Sequence, residues 1–337
     1  MPSVFASVPI AATLRTQLAS CGLRTAEAIK NLSAEQLSHQ LQISYEEASE
    51  LLQAVQAAST PKPRSALDSL SQQLQQSNIS FSSNALDSLF GGAGIPTAKV
   101  IEICGCPGTG KTQIALQLSA NVICNPEGDQ PCRSIYIDTE GSFMAARLRD
   151  MLPTVSDLST QDDNSPLDNL YYYRVCNHLE LLALVKSLDQ QLEDHNNVRL
   201  VVIDSIAFLM RMNLEDAGLR ARLLTTIGQT LLRLARAHRL TVLLLNHINS
   251  KMASDDFLPA LGDSWGHIVP NRLLLYEDKG RRYARLYKSS NLPDKTVPFR
   301  ITSQGVRDTI PDQGHDQSLK RNYFTDDENS LPDVYEE

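Results

Sequence analysis

Residues 99–245 alternate between short apolar runs and longer segments in which apolar and polar positions recur with helical spacing. In segment 216–238, for example, Leu219, Leu223 and Ile227 follow one another every four residues, which is the pattern of a helix with one apolar face. Near-continuous apolar runs separated by such helices predict a mostly parallel β-sheet covered on both faces. The predicted strands are 99–104, 133–138, 170–175, 199–204 and 240–245, and the predicted helices are 111–123, 143–152, 178–193 and 216–238.

The pattern changes after residue 270. The segment "NRLLLYEDKGRRYARLYKSS" (271–290) holds two strand-like runs joined by the turn "EDKG", which is typical of a hairpin. Antiparallel strands are therefore expected to extend one edge of the sheet. The fold class predicted for this part of the chain is α/β, a mostly parallel twisted sheet with antiparallel C-terminal hairpins.

A different pattern precedes the sheet. Residues 10–57 form several short amphipathic segments, and Ser33 with Gln36 and Ser44 with Glu47 have the spacing of helix N-terminal caps. Two prolines and a basic pair then interrupt the helical pattern in "ASTPKPRSALDS". The domains predicted are a helical domain at 1–59, a linker at 60–84, an α/β core at 85–310 and an acidic, disordered tail at 311–337.

Composition excludes few classes of protein. There is no apolar run of about 18 residues, so no transmembrane helix and no membrane partner are expected. The first residues lack the basic start and apolar centre of a secretory signal. The six cysteines are scattered without a C-x-x-C pair, which predicts reduced, buried thiols.

The net charge of −8 is concentrated at one end of the chain. The segment "FTDDENSLPDVYEE" (324–337) holds six carboxylates and no basic residue, which leaves −2 for the rest. A nearly neutral body can still present a local basic groove. Net charge therefore neither supports nor excludes binding to nucleic acid.

The clearest motif is "GCPGTGKT" (105–112), a complete G-x-x-x-x-G-K-[ST] (Walker A, or P-loop) sequence between a predicted strand and a predicted helix. Its glycines let the backbone N–H groups point at phosphates, and the helix N-terminus adds partial positive charge. Lys111 is expected to reach the β- and γ-phosphates, a catalytic role, and the Thr112 hydroxyl to ligate Mg²⁺. The predicted nucleotide-binding residues are Gly105, Cys106, Pro107, Gly108, Thr109, Gly110, Lys111, Thr112 and Gln113.

Two carboxylates follow predicted strands. Asp204 ends the run "RLVVID", and the carboxyl ends of parallel strands face the crevice where such sheets bind ligands. We predict that Asp204 holds Mg²⁺ through a water, with a helix-capping role as the alternative. In "YIDTEGSF" (136–143), Glu140 lies just past another strand end, where a carboxylate can orient the attacking water. Glu140 is therefore the predicted catalytic base.

These motifs, followed by "LLLNH" (243–247) and "GDSWGH" (262–267), resemble the RecA-type recombinases of eukaryotes and archaea. Within that family the closest resemblance is to the C-type group of eukaryotic paralogues, over roughly residues 10–308. The resemblance implies a RecA-like P-loop ATPase core preceded by a helix-hairpin-helix-like domain. It also implies ATP and Mg²⁺ as cofactors and single-stranded or branched DNA as a partner. Hetero-oligomers with other paralogues, contact with the filament-forming recombinase, and a nuclear location with a cytoplasmic pool are implied as well.

The resemblance assigns further residues. Arg147 matches an arginine that stacks on adenine, although a surface helix arginine is the alternative. Segments 210–222 and 248–262 occupy the positions of the two DNA-binding loops. The candidate DNA contacts are Arg211, Arg220, Arg222 and Lys251, and a solvated charged surface remains the alternative for them.

Three positions depart from the family pattern. His247 stands where the family has a glutamine that senses the γ-phosphate. An imidazole can donate a hydrogen bond to phosphate, but it is shorter than the glutamine side chain and titrates near neutral pH. The alternative is that His247 is an ordinary core or surface histidine. Pro63, ahead of Ala66, replaces the phenylalanine by which self-polymerising relatives dock, so assembly with different paralogues is expected. Gln42 replaces a glycine of the helix-hairpin-helix turn, so partner docking is at least as well supported for this domain as DNA clamping, and both stay open.

The function predicted is a slow, DNA-dependent ATPase of homologous-recombination repair of double-strand breaks. Such a paralogue subunit loads or stabilises recombinase filaments on single-stranded DNA. The alternatives left open are an ATP-gated scaffold with little hydrolysis, a RecA-fold helicase motor and, most remotely, a P-loop kinase.

Overall fold

The computed structural model describes residues 12–23, 28–29, 32–59, 65–74, 77–128, 130–152, 165–212, 216–249, 258–259 and 261–309. The chain divides into two compact units between residues 75 and 76. Strand Asn78–Ile79 pairs with Ile95–Pro96 inside the second unit, although it lies in the predicted linker 60–84. The predicted domain bounds stay predictions, and Pro63 and the acidic tail lie outside the described residues.

The first unit is helical where it is described. The Ser33 hydroxyl accepts the Gln36 N–H at 3.2 Å and the Gln36 side chain accepts the Ser33 N–H at 2.9 Å, which confirms the predicted cap. Ser44 and Glu47 make the same reciprocal pair at 2.9 and 3.1 Å. Gln42 adopts φ 55° at a helix end, so the turn keeps the left-handed conformation that favours glycine. The helices are α1 Ala12–Ser20, α2 Ala34–Leu41, α3 Tyr45–Ser59 and α4 Ala66–Leu74.

The second unit contains the sheet. Its helices are α5 Asn84–Ser88, α6 Lys111–Cys124, α7 Ala145–Met151, α8 His178–Asp194, α9 Ile206–Met212, α10 Ala217–Ala237 and α11 Gly262–Ile268, with a 3₁₀ turn at Pro166–Asn169. Its strands are β1 Asn78–Ile79, β2 Ile95–Pro96, β3 Val100–Gly105, β4 Arg133–Asp138, β5 Leu170–Arg174, β6 Val198–Asp204, β7 Thr241–Asn249, β8 Leu258–Pro259, β9 Asn271–Asp278, β10 Arg281–Lys288, β11 Thr296–Thr302 and β12 Gly305–Arg307.

The large sheet has the strand order β12-β11-β10-β9-β3-β7-β6-β4-β5, and β8 pairs with β7. Neighbours from β9 to β5 are parallel, whereas β10, β11 and β12 are antiparallel to their neighbours. The predicted α/β fold with a mostly parallel sheet is confirmed. One detail differs, because the first strand of the predicted hairpin, β9, pairs in parallel with β3. The turn after it has two positive φ values, at Lys279 and Gly280, the geometry of a tight hairpin.

Alternate residues of the central strands enter different cores. Ile101 and Ile103 pack with helices α6 and α7 on one face of the sheet. Ile135 and Ile137 of β4 face the other core, which α8, α10 and α11 cover. Since both faces are buried, the strands consist of continuous apolar runs rather than alternating ones. The carboxyl ends of the parallel strands, by contrast, carry polar residues.

Two further sequence expectations can be compared with the described residues. No helix among them is both long and apolar enough to cross a membrane. The six cysteines are free, but only Cys104 and Cys132 are buried and Cys176 is exposed. The expectation of buried thiols is therefore wrong for Cys176 and is met only in part by Cys21, Cys106 and Cys124, which are of intermediate exposure.

Candidate nucleotide-binding site

The P-loop connects the central strand β3 to helix α6. Strand β3 ends at Gly105, which is the register partner of His247 on β7, and the helix begins at Lys111. Gly108 and Gly110 have φ values of 83° and 105°, a conformation that side chains other than glycine adopt rarely. The sequence therefore forms the tight turn that the motif predicts, at the carboxyl edge of the sheet.

The lysine of this loop lies inside the loop's own curve. Lys111 Nζ donates to the carbonyl oxygens of Gly105 at 2.8 Å and Cys106 at 3.0 Å. Burial lowers the pKa of Lys111, and the charges of Glu140 and Asp204 oppose that shift. The ammonium is thus positioned at the loop but partly desolvated.

These features fit a phosphate chain. The 14-residue helix α6 has neither a side-chain cap nor an acidic residue in its first turn, so its N-terminal partial positive charge is not offset there. A Cβ atom at Gly108 would meet nothing within 4 Å, which leaves open space on the outer side of the loop. A buried ammonium, an uncapped helix N-terminus and free space together match the chemistry of a bound polyphosphate.

Asp204 lies beside the loop at the end of β6. Its Oδ2 accepts hydrogen bonds from Thr112 Oγ1 and from the buried Tyr136 hydroxyl, each at 2.8 Å. Burial raises the pKa of Asp204, while these two hydroxyls act in the opposite direction. In the described residues the N–H of Phe208 in helix α9 is accepted by Ser205, not Asp204. The two predicted magnesium ligands, Thr112 and Asp204, are therefore adjacent.

The loop after β4 is organised by Asp138. Its Oδ1 accepts the backbone N–H groups of Glu140 at 3.0 Å and Gly141 at 2.7 Å, and its Oδ2 accepts that of Phe143 at 3.2 Å. Asp138 is also the register partner of Asp204 on the neighbouring strand. This carboxylate consequently fixes the backbone that carries Glu140.

Glu140 is held by two side chains, one from strand β7 and one from the residue that follows strand β6. Its Oε1 lies 2.8 Å from His247 Nε2 and also accepts the Ser205 hydroxyl. The hydrogen bond with His247 is the main cause that lowers the pKa of Glu140. Ser205 is in turn fixed by Thr139, whose Oγ1 donates to the Ser205 carbonyl and accepts its N–H, both at 2.8 Å. The structure thus brings the predicted base and the predicted sensor together.

Arg147, the residue assigned to adenine stacking, contacts the first turn of the P-loop helix α6. Its Nε donates to Gln113 Oε1 at 2.7 Å, and its Nη2 donates to the Thr302 carbonyl at 2.7 Å. Nη1 contacts the Ser303 carbonyl. The guanidinium plane is therefore anchored to the β11–β12 turn, and its contact with adenine stays a prediction.

The candidate DNA contacts lie on two neighbouring helices. Arg211 is exposed near the end of α9, and Arg220 and Arg222 lie in the first turns of α10. Lys251 lies outside the described residues. A cavity of about 170 Å³ separates the start of α10 from α11, with Arg220 and Trp265 in its wall. The described ends of both predicted DNA loops therefore meet at one place.

Several residues of the site were missed by sequence reasoning. Tyr136 occupies the middle of an apolar strand and has the pattern of a core aromatic residue. Ser205 and Thr139 carry no motif of their own. Their roles depend on the register of β4 against β6, which brings together residues about 65 positions apart. No local signal in the sequence indicates these contacts.

The fold and this cluster define an α/β protein with a P-loop and two adjacent carboxylates at the carboxyl edge of a mostly parallel sheet. The Rad51 family model matches residues 72–309. The chain belongs to the Rad51 family, and the resemblance to RecA-type recombinases is confirmed.

Individual relatives agree with this family. The chain is 38% identical over 335 residues to "DNA repair protein RAD51 homolog 3" of Cricetulus griseus, covering 90% of this chain and 91% of that protein. The protein of the same name from Dictyostelium discoideum is 36% identical, covering 72% of this chain and 69% of the relative. "DNA repair and recombination protein RadA" of Metallosphaera sedula is 30% identical, covering 87% and 91%.

Proposed function

We propose that this protein is a recombinase paralogue, an ATP-binding and slowly hydrolysing, DNA-stimulated subunit that acts in homologous-recombination repair. The observation that carries the proposal is the adjacency of three groups: the buried Lys111 in its loop, Thr112 at 2.8 Å from Asp204, and Glu140 beside His247. A triphosphate site needs a cation for the phosphates, ligands for Mg²⁺ and a residue that orients water. All three lie at one edge of the sheet.

The residues take the following roles. The backbone of the P-loop from Gly105 to Thr112 and the Lys111 ammonium bind the phosphates, and Thr112 with Asp204 holds Mg²⁺. ATP supplies the phosphoanhydride bond whose cleavage ends the bound state. Glu140 orients the attacking water, and His247 holds Glu140 until the γ-phosphate takes over its imidazole N–H.

DNA binding is assigned to the surface where α10 begins and α11 lies beside it. Arg220 lines the cavity between these helices and Arg222 is exposed in the first turns of α10. Arg211, exposed near the end of the preceding helix α9, is assigned to the same surface. Phosphate contacts by arginine are independent of base sequence and weaken with salt. Single-stranded or branched DNA without base preference is therefore the nucleic-acid partner proposed.

Partners follow from the family and from one substitution. The named relatives are DNA repair proteins, and this chain has Pro63 where self-polymerising members carry a docking phenylalanine. We therefore assign the protein to hetero-oligomers with other paralogues, which load or stabilise recombinase filaments. Their location is the nucleus, with a cytoplasmic pool.

Single-turnover ATP hydrolysis, measured with and without single-stranded DNA, tests the proposal. The wild-type protein is expected to hydrolyse ATP slowly in the absence of DNA and faster in the presence of single-stranded DNA. Lys111→Ala removes a charged hydrogen-bond donor to phosphate, so nucleotide affinity should fall about 100-fold. Lys186→Ala, on the exposed side of α8, is the matched control and should keep wild-type affinity. Nucleotide binding that is indifferent to Lys111→Ala would contradict the proposed site.

One observation favours a second candidate function, an ATP-gated scaffold. Glu140 is engaged by both His247 and Ser205, and the hydrogen bond with His247 lowers its pKa. A carboxylate with a lowered pKa is a weaker base. ATP-dependent DNA association without measurable single-turnover hydrolysis would identify the scaffold and exclude the ATPase.

A further inference from the structure

A buried carboxylate joins three elements around the P-loop strand. Glu102 on β3 is fully buried, three residues before Gly105. Its Oε1 accepts Asn246 Nδ2 at 2.7 Å and Trp265 Nε1 at 2.6 Å, and its Oε2 accepts Arg272 Nε at 2.6 Å. A buried charge persists only where such partners satisfy it. Glu102 therefore fixes β7, α11 and β9 relative to β3.

This cluster continues into the nucleotide site. Whereas the Asn246 side-chain nitrogen donates to Glu102, its side-chain oxygen Oδ1 accepts the backbone N–H of His247 at 2.7 Å. The His247 ring lies 2.8 Å from Glu140. A continuous series of hydrogen bonds thus runs from Glu140 through His247, Asn246 and Glu102 to Trp265.

Trp265 lies where the nucleotide site and the DNA surface approach each other. Its helix packs closely on α10 because Gly228 has no side chain: a Cβ there would lie 2.4 Å from Ile268 Cγ2 and 3.3 Å from Trp265 Cζ3. The same indole forms part of the wall of the cavity beside Arg220. Strand β8, just before α11, pairs with the end of β7. A shift of β7 therefore reaches α11 by two contacts.

We propose that Trp265 and Glu102 are positioning residues that transmit the state of the Glu140–His247 pair to helix α11 and the adjacent DNA surface. The inference rests on the proposed nucleotide site. When His247 exchanges Glu140 for a γ-phosphate oxygen, the end of β7 moves with it. Because Asn246 and Trp265 donate to the same oxygen of Glu102, displacement of Asn246 changes the bond to Trp265. Glu102 thus has different contacts with Trp265 in the two states of the nucleotide site, and coupling between two sites requires such a difference.

The indole permits a direct test because Trp265 is the only tryptophan in the chain. Its fluorescence therefore reports on this position alone. Wild type titrated with a non-hydrolysable ATP analogue and Mg²⁺ should show a change in tryptophan emission that saturates with nucleotide binding. A wild type that binds the analogue, detected by calorimetry, without any change in emission overturns the relay and leaves the nucleotide site intact. A wild type that binds no nucleotide overturns both.

The variant Trp265→Phe keeps an apolar ring and deletes the N–H. Nucleotide affinity should stay within about twofold of wild type, whereas the gain in single-stranded DNA affinity caused by the analogue should shrink at least about fivefold. Amide hydrogen exchange at residues 262–268 should lose its nucleotide dependence in the same variant. A purely structural role would lower the melting temperature and leave both readouts as in wild type, and that result overturns the proposal.

Tyr173→Phe is the matched control. It deletes one aromatic hydroxyl, which donates to Gln191 at 2.5 Å on the same face of the sheet, and it should keep the full coupling. If Trp265→Phe does not fold, global replacement of tryptophan by 3-benzothienylalanine exchanges the ring N–H for sulfur at this position only. Wild-type coupling in that protein would equally overturn the proposal.

Discussion

Two carboxylates at the same sheet edge have opposite surroundings. Asp204 is 3% exposed and accepts hydroxyls from Thr112 and Tyr136. Glu140 has a side chain 27% exposed and is engaged by His247. Burial raises the pKa of the first group, whereas the hydrogen bond with His247 lowers that of the second. The surroundings of the two acids thus favour different forms: burial disfavours the charged form of Asp204, and hydrogen bonding favours the charged form of Glu140.

The difference separates the two roles physically. Neutral hydroxyls satisfy the lone pairs of Asp204 but do not neutralise its charge. A bound cation would therefore stabilise the buried carboxylate more than these hydroxyls do. Glu140 already has a stable anionic form and partial access to water. The first environment suits a metal ligand, and the second suits a residue that orients water.

The largest effect expected from this contrast is that of Glu140→Gln on turnover. The amide cannot act as a base, so single-turnover hydrolysis should fall about 100- to 10,000-fold. Nucleotide affinity should stay near that of wild type, and the DNA-bound state should last longer because ATP persists. Quenched-flow hydrolysis and DNA dissociation kinetics measure these two quantities.

The matched control for this comparison is Glu180→Gln. Glu180 makes a local contact with Asn177 at the start of α8, next to the outermost strand β5, and its replacement should keep the wild-type rate. Hydrolysis at the wild-type rate by Glu140→Gln itself would remove the catalytic role of that residue and leave the scaffold function.

A smaller effect is expected on the Asp204 side from Tyr136→Phe. Loss of the hydroxyl at 2.8 Å removes a partner that orients Asp204, so the Mg²⁺ affinity of the nucleotide complex should fall about 10-fold. Magnesium titrations of nucleotide binding provide the measurement. Tyr172→Phe is the control, since its hydroxyl contacts Asp138 at 3.1 Å instead. Equal losses in both variants would mean that Asp204 has no special link to the cation.

The sequence was most informative where a motif has fixed local spacing. The P-loop, Asp204 and Glu140 were located from short patterns next to apolar runs, because parallel strands gather their carboxyl ends at one edge. The strand Arg133–Asp138 was predicted with its observed bounds. A long apolar run indicates a buried strand and also where that strand ends. The strand and the polar residues that follow it can therefore be predicted from a single sequence.

Contacts between distant strands were not readable. Glu102 is a charged residue inside an apolar run, and nothing beside it in the sequence indicates that Asn246 and Trp265 converge on it from 144 and 163 positions away. The parallel pairing of β9 with β3 was not predicted for the same reason. A local hairpin signal predicts how β9 joins β10 but not which strand lies on its other side.

The smallest expected effect is on the pH dependence of stability, and its sign differs between the two acids. The raised pKa of Asp204 means that the folded chain binds more protons there than the unfolded chain, so its contribution becomes less favourable as pH rises from 3.8 through the folded pKa. The lowered pKa of Glu140 gives the reverse: stability present above 4.5 is lost as pH falls through the folded pKa.

Urea unfolding of wild type, Asp204→Asn and Glu140→Gln at several acidic pH values measures this contrast. The wild-type advantage over Asp204→Asn should shrink with rising pH above 3.8, and that over Glu140→Gln should shrink with falling pH below 4.5. Each change should amount to about 1 kcal/mol or less, because Glu140 is partly solvated and the hydroxyls around Asp204 offset part of its burial. Slopes of the same sign in both variants would show that the two acids share one environment, and the assignment of metal and base to different carboxylates would lose its electrostatic basis.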